Sequence, residues 1–326
     1  MKVSIIGAGA WGAALSILAR KQNHEVRLWA RRKEIVQQIL SEQCVPYLKG
    51  VRLPTDIAAT PDLAKAVAGA DLVMIAVPSH GVRAVAQKLA PLIGNLPILS
   101  VTKGIETETH LRMSQVIRET IGENDYAVLS GPSFAHDVAG GKPTAVVVAS
   151  ESAGRGEWIQ KNFSGSTFRL YTSSDVTGVE LGGAMKNIMA IAAGVGDGLG
   201  LGESTRAALI TRALSELVRL GERLGGRHET FFGLSGLGDL VLTCGGQQSR
   251  NHRVGERLAR GESLEQIVLS MNGVAEGVRN TQSFHQLAIQ SGMDAPIIGA
   301  TYGILYEGVT PTKAIENLMG RELKKE

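Results

Sequence analysis

The sequence has few cysteines, little net charge and no long uninterrupted apolar run, and each of these absences excludes a class of protein. The two cysteines, Cys44 and Cys244, form no CxxC pair, which argues against a disulfide framework or a zinc knuckle and fits a reducing compartment. The seven histidines show no HxxxH or HxxEH spacing, so we expect no metal site. The formal net charge of +3 is too small to indicate a nucleic-acid or membrane partner.

The apolar segments are too short or too interrupted to enter a membrane. The apolar run before the first glycines is shorter than a signal-peptide core. The most apolar stretch, residues 182–201, contains Lys186 and Asp197, which a membrane span would not tolerate without special reason. We therefore expect a soluble, cytoplasmic protein. With 326 residues, 44% hydrophobic and 20% charged, the chain can form about two globular domains.

The hydrophobic pattern changes character near residue 174. Before it, β-branched runs alternate with helical stretches such as 11–21 and 81–92, which predicts βαβ units and a mostly parallel sheet. The predicted strands are 3–6, 26–29, 72–77, 98–102, 127–130, 145–149 and 168–171. After it the helical pattern dominates, over 175–195, 204–224, 249–260, 264–271, 277–290, 296–307 and 312–318. We predict an α/β domain over residues 1–176 and an all-helical substrate-binding domain over residues 177–326.

Residues 7–12, GAGAWG, match the GxGxxG pattern in the context that gives it meaning. They follow a predicted strand, open a helix and lead to a second strand about twenty residues on. Gly7 would permit the tight turn, Gly9 the approach of a pyrophosphate and Gly12 close packing of the helix on the sheet. The N–H groups at the helix start would face the anion. The pattern predicts a Rossmann-type dinucleotide-binding domain; the alternative is a glycine-rich turn without a ligand.

The residues after the second predicted strand bear on the choice of cofactor. Proteins specific for NAD usually place Asp or Glu there to bind the ribose 2′-hydroxyl. This chain has Arg31 and Arg32, and its first acid is Glu34. Because guanidinium groups bind phosphate bidentately, the sequence favours NADP(H), with NAD(H) use left open. A merely solvated basic turn is the alternative.

Lys186 is the strongest candidate for acid–base chemistry. It interrupts an apolar, glycine-rich predicted helix, where a lysine is costly unless it lines a cleft. Burial and a second cation, for which Lys103 is a candidate, would lower its pKa toward the range useful for proton transfer. A lysine that extends to the surface is the alternative. Asp239, predicted in a flexible loop, could orient the ammonium group.

The segment from Ser249 to Asn251 is a candidate phosphate site. It opens a predicted helix with a hydroxyl, a guanidinium, an amide and backbone N–H groups. An ordinary helix cap with a solvated Arg250 is the alternative. Ser133 lacks the glycine that the GxSxG motif of hydrolases requires two residues later, so we expect it to bind substrate rather than to act as a nucleophile.

Together these segments closely resemble the bacterial NAD(P)-dependent glycerol-3-phosphate dehydrogenase family, from residue 7 to about residue 320. The most specific pieces are residues 102–106, 130–135, 180–187, 236–244, 248–251 and 274–277. The resemblance implies reversible reduction of dihydroxyacetone phosphate to sn-glycerol 3-phosphate by NAD(P)H, which supplies phospholipid synthesis. It also implies a cytoplasmic enzyme that forms a homodimer.

The resemblance further implies residue roles, with Lys186 as the acid–base residue. Substrate contacts would come from Lys103, Gly131, Ser133, Asp239, Ser249, Arg250 and Asn251. Cofactor contacts would come from Ala10, Trp11, Arg31, Arg32, Tyr47, Lys103, Ala135, Arg250, Val274 and Glu276. Two other functions stay open on the sequence: another two-domain dehydrogenase, for a β-hydroxyacid or 6-phosphogluconate, and a non-catalytic NADPH sensor.

Overall fold

The computed structural model describes residues 1–271, 273, 275–323 and 325, and these residues form two units. The first unit comprises Met1–Glu106 and Leu111–Glu180. The second comprises Thr107–His110 and Leu181–Glu326.

An eight-stranded sheet forms the centre of the first unit, in the order β3-β2-β1-β4-β5-β6-β7-β8. All neighbouring strands pair in parallel except β6 and β7, which are antiparallel, so the predicted mostly parallel sheet is confirmed. The strands are β1 Lys2–Ile6, β2 Glu25–Trp29, β3 Ala58–Thr60, β4 Leu72–Ile75, β5 Ile98–Ser100, β6 Tyr126–Ser130, β7 Thr144–Ala149 and β8 Phe168–Ser173.

Helices cover both faces of this sheet. Ile5 and Ile6 are adjacent in β1, yet Ile5 packs into an apolar cluster with α1 and Ile6 into another with α4 and α5. Because successive strand residues point to opposite faces, the two clusters lie on the two sides of the sheet. The helices of this unit are α1 Ala10–Lys21, α2 Lys33–Glu42, α3 Leu63–Val67, α4 Ser79–Ile93, α5 Met113–Ile121, α6 Ala135–Ala139 and α7 Ala153–Phe163.

Every regular element formed by the described residues of the second unit is a helix, which confirms the predicted helical C-terminal part. Its first helix, α8, begins within the first unit. Pro296 and Pro311 occupy first-turn positions, where a missing N–H costs nothing. The helices are α8 Val176–Gly198, α9 Gly202–Arg223, α10 His228–Phe232, the π-helical segment Leu234–Gly238, α11 Asp239–Gly245, α12 Arg250–Ala259, α13 Leu264–Ser270, α14 Glu276–Gln290, α15 Pro296–Tyr306 and α16 Pro311–Met319.

Candidate functional site

The glycine loop joins β1 to α1 and has the geometry that a dinucleotide requires. Gly7 has φ +125°, and a Cβ there would lie 2.5 Å from the carbonyl oxygen of Ala76. A Cβ at Gly12 would lie 1.8 Å from the carbonyl oxygen of Gly7, so the first helical turn packs directly on the loop. A Cβ at Gly9, the N-cap of α1, would meet nothing within 4 Å. The loop is therefore tight where it meets the sheet and open where a pyrophosphate would approach the helix N-terminus.

Ala10 and Trp11 begin α1, one residue earlier than the helix predicted over residues 11–21. Trp11 is half-buried against the core of the first unit. Its indole Nε1 is buried without a hydrogen-bond partner in the described structure.

The basic turn after β2 is held in place by a contact between Arg32 and Tyr47. Arg31 and Arg32 are both exposed, and Arg32 is the N-cap of α2. The Arg32 guanidinium donates a hydrogen bond to the Tyr47 hydroxyl and lies 5.9 Å from the centre of its ring. Tyr47 thus holds one of the two candidate 2′-phosphate ligands in place.

Lys103, Gly131 and Ser133 meet at the ends of β5 and β6. The Lys103 ammonium donates to the carbonyl oxygen of Gly131 at 2.7 Å and contacts the Ser133 Oγ at 3.4 Å. Gly131 has φ +136°, and a Cβ there would lie 2.9 Å from the Cα of Val146, so only glycine fits. Ala135, the remaining candidate in this segment, begins α6.

An ion pair fixes the loop that carries Lys103. The Arg83 guanidinium in α4 donates to both carboxylate oxygens of Glu106, with closest contacts of 2.8 Å, and also to Glu119. Glu106 is buried. No local sequence pattern predicts this pair, because Arg83 and Glu106 lie 23 residues apart.

Lys186 is buried in α8 and paired, so the alternative of a surface lysine is wrong. Its side chain is 9% exposed, and its Nζ lies 2.8 Å from the Asp239 Oδ1 and 2.7 Å from the Thr243 Oγ1. The prediction of a flexible loop at Asp239 is also wrong, because Asp239 begins α11 and is 1% exposed. Thr243 was missed: its spacing of four from Asp239 indicates a shared helix face only once the segment is known to be helical.

The neighbouring Cys244 is uncharged and does not form an ion pair with Lys186. Burial raises the pKa of its thiol to about 12, although the positive charge of Lys186 opposes the shift. The thiol is therefore neutral at physiological pH and is not a nucleophile.

The three residues of the candidate phosphate site have different surroundings. The Ser249 Oγ caps α12 by accepting the His252 N–H at 3.1 Å. Arg250 is exposed. Asn251 is buried: its Nδ2 donates to the Asn187 Oδ1, and its Oδ1 accepts the Gly277 N–H, both at 2.9 Å. Asn251 therefore joins α8, α12 and α14 and brings Asn187, which the sequence reasoning missed, next to the site.

The last cofactor candidates precede and begin α14. Glu276 is the first residue of this helix. Arg250 is exposed as a whole residue, but the protein around its guanidinium partly excludes water, which lowers its pKa; the nearby Glu276 carboxylate opposes that shift. Val274 lies outside the described residues.

Two further observations concern the whole described chain. Among those residues, no helix combines the length and apolar character needed to cross a bilayer. The same residues contain no group of three or more His, Cys, Asp and Glu side chains arranged to hold a metal ion.

Comparison with known proteins identifies the family. Residues 2–155 match the N-terminus, and residues 175–316 the C-terminus, of NAD-dependent glycerol-3-phosphate dehydrogenase. Glycerol-3-phosphate dehydrogenase (NAD(P)+) of Nitratidesulfovibrio vulgaris strain DP4 is 46% identical over 330 residues, which cover 100% of both chains. The corresponding protein of Moorella thermoacetica is 46% identical over 321 residues, which cover 98% of this chain and 96% of that one.

A solved structure agrees with these sequence matches. The crystal structure of glycerol-3-phosphate dehydrogenase from Coxiella burnetii superposes with a TM-score of 0.95 at 38% identity, covering 98% of this chain and 99% of that one. The chain is thus an oxidoreductase that uses a nicotinamide cofactor. More narrowly, it belongs to the NAD-dependent glycerol-3-phosphate dehydrogenase family, which confirms the resemblance seen in the sequence.

Proposed function

We propose that this chain catalyses the reversible reduction of dihydroxyacetone phosphate to sn-glycerol 3-phosphate, with NADPH preferred over NADH. The observation that carries the proposal is the buried Lys186–Asp239–Thr243 cluster in the same helical unit as the exposed Arg250. Such a cluster offers an oriented proton donor, and the guanidinium offers an anion ligand. The product would supply phospholipid synthesis in the cytoplasm, and the chain would act as a homodimer, as the family resemblance implies.

The first unit provides most of the proposed cofactor ligands. The N–H groups at the start of α1, beside the open backbone of Gly9, bind the pyrophosphate. Arg31 and the Tyr47-anchored Arg32 bind the adenosine 2′-phosphate. The nicotinamide supplies or accepts the hydride when bound. The remaining proposed contacts, taken from the family resemblance, are Ala10, Trp11, Lys103, Ala135, Arg250, Val274 and Glu276.

The start of α12 binds the substrate phosphate. Arg250 supplies an exposed guanidinium, and the N–H groups of the first turn add partial positive charge. Asn251 sets the position of this turn through its hydrogen bonds to Asn187 and Gly277, and contributes the second N–H of its amide to the substrate. Further proposed substrate contacts are Lys103, Gly131, Ser133, Asp239 and Ser249.

Lys186 transfers the proton. Its ammonium donates a proton to the carbonyl oxygen during reduction, and its neutral amine removes the hydroxyl proton during oxidation. The Asp239 carboxylate and the Thr243 hydroxyl fix the direction of Nζ, so that little motion is needed at the moment of transfer.

The assay that tests the activity follows the absorbance of reduced nicotinamide in the presence of dihydroxyacetone phosphate, with NADPH and NADH in turn. We expect oxidation of both cofactors and a higher kcat/KM for NADPH. If 6-phosphogluconate or a β-hydroxyacid supports NADP reduction while dihydroxyacetone phosphate supports no turnover, the proposed substrate is wrong. Cofactor binding with no turnover on any of these substrates would instead indicate a sensor.

The Lys186→Met variant tests the role of the lysine. Loss of a general acid typically costs about 10²–10⁴-fold, so kcat should fall by that amount. The Kd for NADPH, measured by fluorescence titration, should change less than about twofold, which also shows that the variant is folded. Lys186→Arg keeps the positive charge beside Asp239 but holds its proton at neutral pH, and should be as slow. Turnover near that of the unmodified enzyme in either variant would contradict the assignment.

A further inference from the structure

The helices that carry the two halves of the proposed substrate site touch through their backbones. A Cβ at Gly194 of α8 would lie 1.9 Å from the carbonyl oxygen of His252 in α12. A Cβ at Gly255 of α12 would lie 2.0 Å from the carbonyl oxygen of Ile191 in α8. Because glycine has no side chain, the backbones of the two helices contact each other directly and their axes lie close together. This close packing leaves little freedom for one helix to slide on the other.

A charged network lies at this helix crossing. The His252 Nε2 lies 2.7 Å from the Asp197 Oδ2, and the Arg206 Nη1 donates to the same oxygen at 2.9 Å. The His252 Nδ1 lies 3.7 Å from a carboxylate oxygen of Glu256. The side chains of His252 and Asp197 are 9% and 16% exposed, so solvent screens their interaction only weakly. The network joins α8, α9 and α12, and no step of the proposed chemistry uses it.

Its place in the sequence connects it to both halves of the site. His252 directly follows Arg250 and Asn251, and its backbone N–H is the one that Ser249 caps. Asp197 lies in α8, the helix that carries Lys186. One residue therefore closes the first turn of the phosphate-binding helix through its main chain and ties that turn to the lysine-bearing helix through its side chain.

We propose that His252 and Asp197 are a positioning pair that sets the first turn of α12, and with it Arg250, relative to the Lys186 Nζ. The inference rests on the proposed binding of the substrate phosphate at this turn. The pair contacts neither substrate nor cofactor. It acts by keeping the bound phosphate at the separation from Nζ that places the carbonyl oxygen within reach of the proton, and a misplacement of about 1 Å can cost on the order of 100-fold in rate.

The test compares two variants on two substrates. His252→Leu removes the donor to Asp197 and keeps similar bulk, whereas His252→Gln retains an N–H donor near the position of Nε2. The substrates are dihydroxyacetone phosphate and dihydroxyacetone, which present the same ketone with and without the phosphate. For His252→Leu we expect kcat/KM to fall about tenfold or more with the phosphate ester and less than about twofold with dihydroxyacetone. His252→Gln should recover most of the loss.

A purely structural role predicts a different pattern. If His252 only stabilises the fold, both substrates lose activity by the same factor, and this outcome overturns the proposal, as does unchanged kcat/KM with the phosphate ester. Should His252→Leu fail to fold, Asp197→Leu, which removes the acceptor at similar bulk, must show the same selective loss. In a double variant, His252→Leu and Asp197→Leu should lose no more than either alone, since they break one interaction.

Arg250→Ala separates this inference from the proposed function. If Arg250→Ala lowers activity equally on the two ketones, the phosphate does not bind at this turn, and the proposed function fails at that point. If Arg250→Ala is selective for the phosphate ester while His252→Leu is not, only the positioning pair is wrong.

Discussion

Arg32, proposed to bind the adenosine 2′-phosphate, would let one residue select between two cofactors that differ by a single phosphate. Its guanidinium is exposed but held by the Tyr47 hydroxyl and ring, so less side-chain entropy is lost when a ligand binds. NADH lacks the 2′-phosphate and gains nothing from this arrangement. In the proposed site, Arg32 would distinguish the two cofactors by the contact that it adds to NADPH.

We expect Arg32→Ala to raise the Kd for NADPH about tenfold or more, because a charge-assisted contact to phosphate contributes roughly 1.5–3 kcal/mol. The Kd for NADH should change less than about twofold. Fluorescence titration with each cofactor measures both values. Lys33→Ala, which removes the next exposed positive charge, is the control and should affect the two cofactors little. Equal weakening of both cofactors by Arg32→Ala would contradict a role in 2′-phosphate recognition.

Glu216 is a buried acid that the proposed chemistry does not use. Its carboxylate, 1% exposed in total, accepts the N–H groups of Ile297 and Ile298 at the start of α15, both at 2.9 Å. Burial raises the pKa of this carboxyl from 4.5 to about 7, while the two N–H groups act in the opposite direction. The desolvation of the charge thus outweighs the hydrogen bonds that it receives.

This raised pKa predicts how stability depends on pH. A carboxyl with a higher pKa in the folded state contributes stability that is full below about pH 4.5 and is lost as the pH rises through about 7. Relative to Glu216→Gln, which cannot titrate, the unmodified protein should lose roughly 3 kcal/mol of unfolding free energy between these values. Urea unfolding of both proteins at pH 5 and pH 7.5 measures the difference. A constant difference between the two proteins would show that Glu216 does not titrate in this range.

At the scale of helices and strands, close backbone contact determines how α8 meets α12. Gly194 and Gly196 are two residues apart in α8, but only Gly194 faces the backbone of α12. A Cβ at Gly196 would meet nothing within 4 Å. The two glycines therefore have different physical reasons to be there, although the sequence shows them as equivalent.

We expect Gly194→Ala to lower the free energy of unfolding by about 1–3 kcal/mol, because the added methyl group overlaps the His252 carbonyl and forces the helices apart. Gly196→Ala is the matched control, and it should be neutral or raise stability by about 0.5–1 kcal/mol through its higher helix propensity. Thermal unfolding of both variants provides the comparison. Similar effects of the two substitutions would show that the helix contact is not as tight as described.

The elements that sequence reasoning missed have a common physical cause, which is a weak local pattern. The strand Ala58–Thr60 has three residues, lies at the edge of the sheet and is partly exposed, so it lacks an apolar run. Between His228 and Gly245, frequent glycines lower helix propensity, and the π-helical segment Leu234–Gly238 shifts the phase of the apolar positions. Long helices and buried central strands can be predicted from the sequence because their periodicity is sustained.

The candidate site divides in the same way. The glycine loop could be predicted because its function depends on the local backbone, and Lys186 because a charge in an apolar helix stands out. The contacts of Asn251 with Asn187 and Gly277 join helices that are distant in sequence, and no local pattern specifies them. A local sequence pattern often suffices to propose that a residue belongs to a site. The residues that it contacts are set by the tertiary structure and do not follow from such a pattern.

For the molecule as a whole, cofactor binding should appear as added stability. A ligand present at about 100 times its Kd stabilises the folded state by roughly 2.7 kcal/mol. Because we propose that NADPH binds more tightly than NADH, it should raise the melting temperature more at the same concentration. A Cβ at Gly9 would meet no protein atom within 4 Å, so we expect a larger side chain there to enter the space proposed for the pyrophosphate and to disturb the fold little.

We expect Gly9→Val to melt near the temperature of the unmodified protein without ligand and to lose most of the shift that NADPH produces. The side chain would occupy the position where the pyrophosphate approaches the helix. Differential scanning fluorimetry with and without NADPH measures both quantities. Gly12→Ala is a useful contrast, since its Cβ would overlap the Gly7 carbonyl and should lower the melting temperature even without ligand. A full NADPH shift in Gly9→Val would rule out this loop as the pyrophosphate site.

The hydrogen bonds of Asn251 have a consequence for anyone who redesigns this enzyme. Asn187, Asn251 and Gly277 hold three helices in one arrangement, so a change at any of the three demands compensation at the others. Arg250, next to them in sequence, is exposed and takes no part in the hydrogen bonds that join these helices. A library aimed at ketones without a phosphate should therefore randomise position 250 and keep positions 187, 251 and 277 constant.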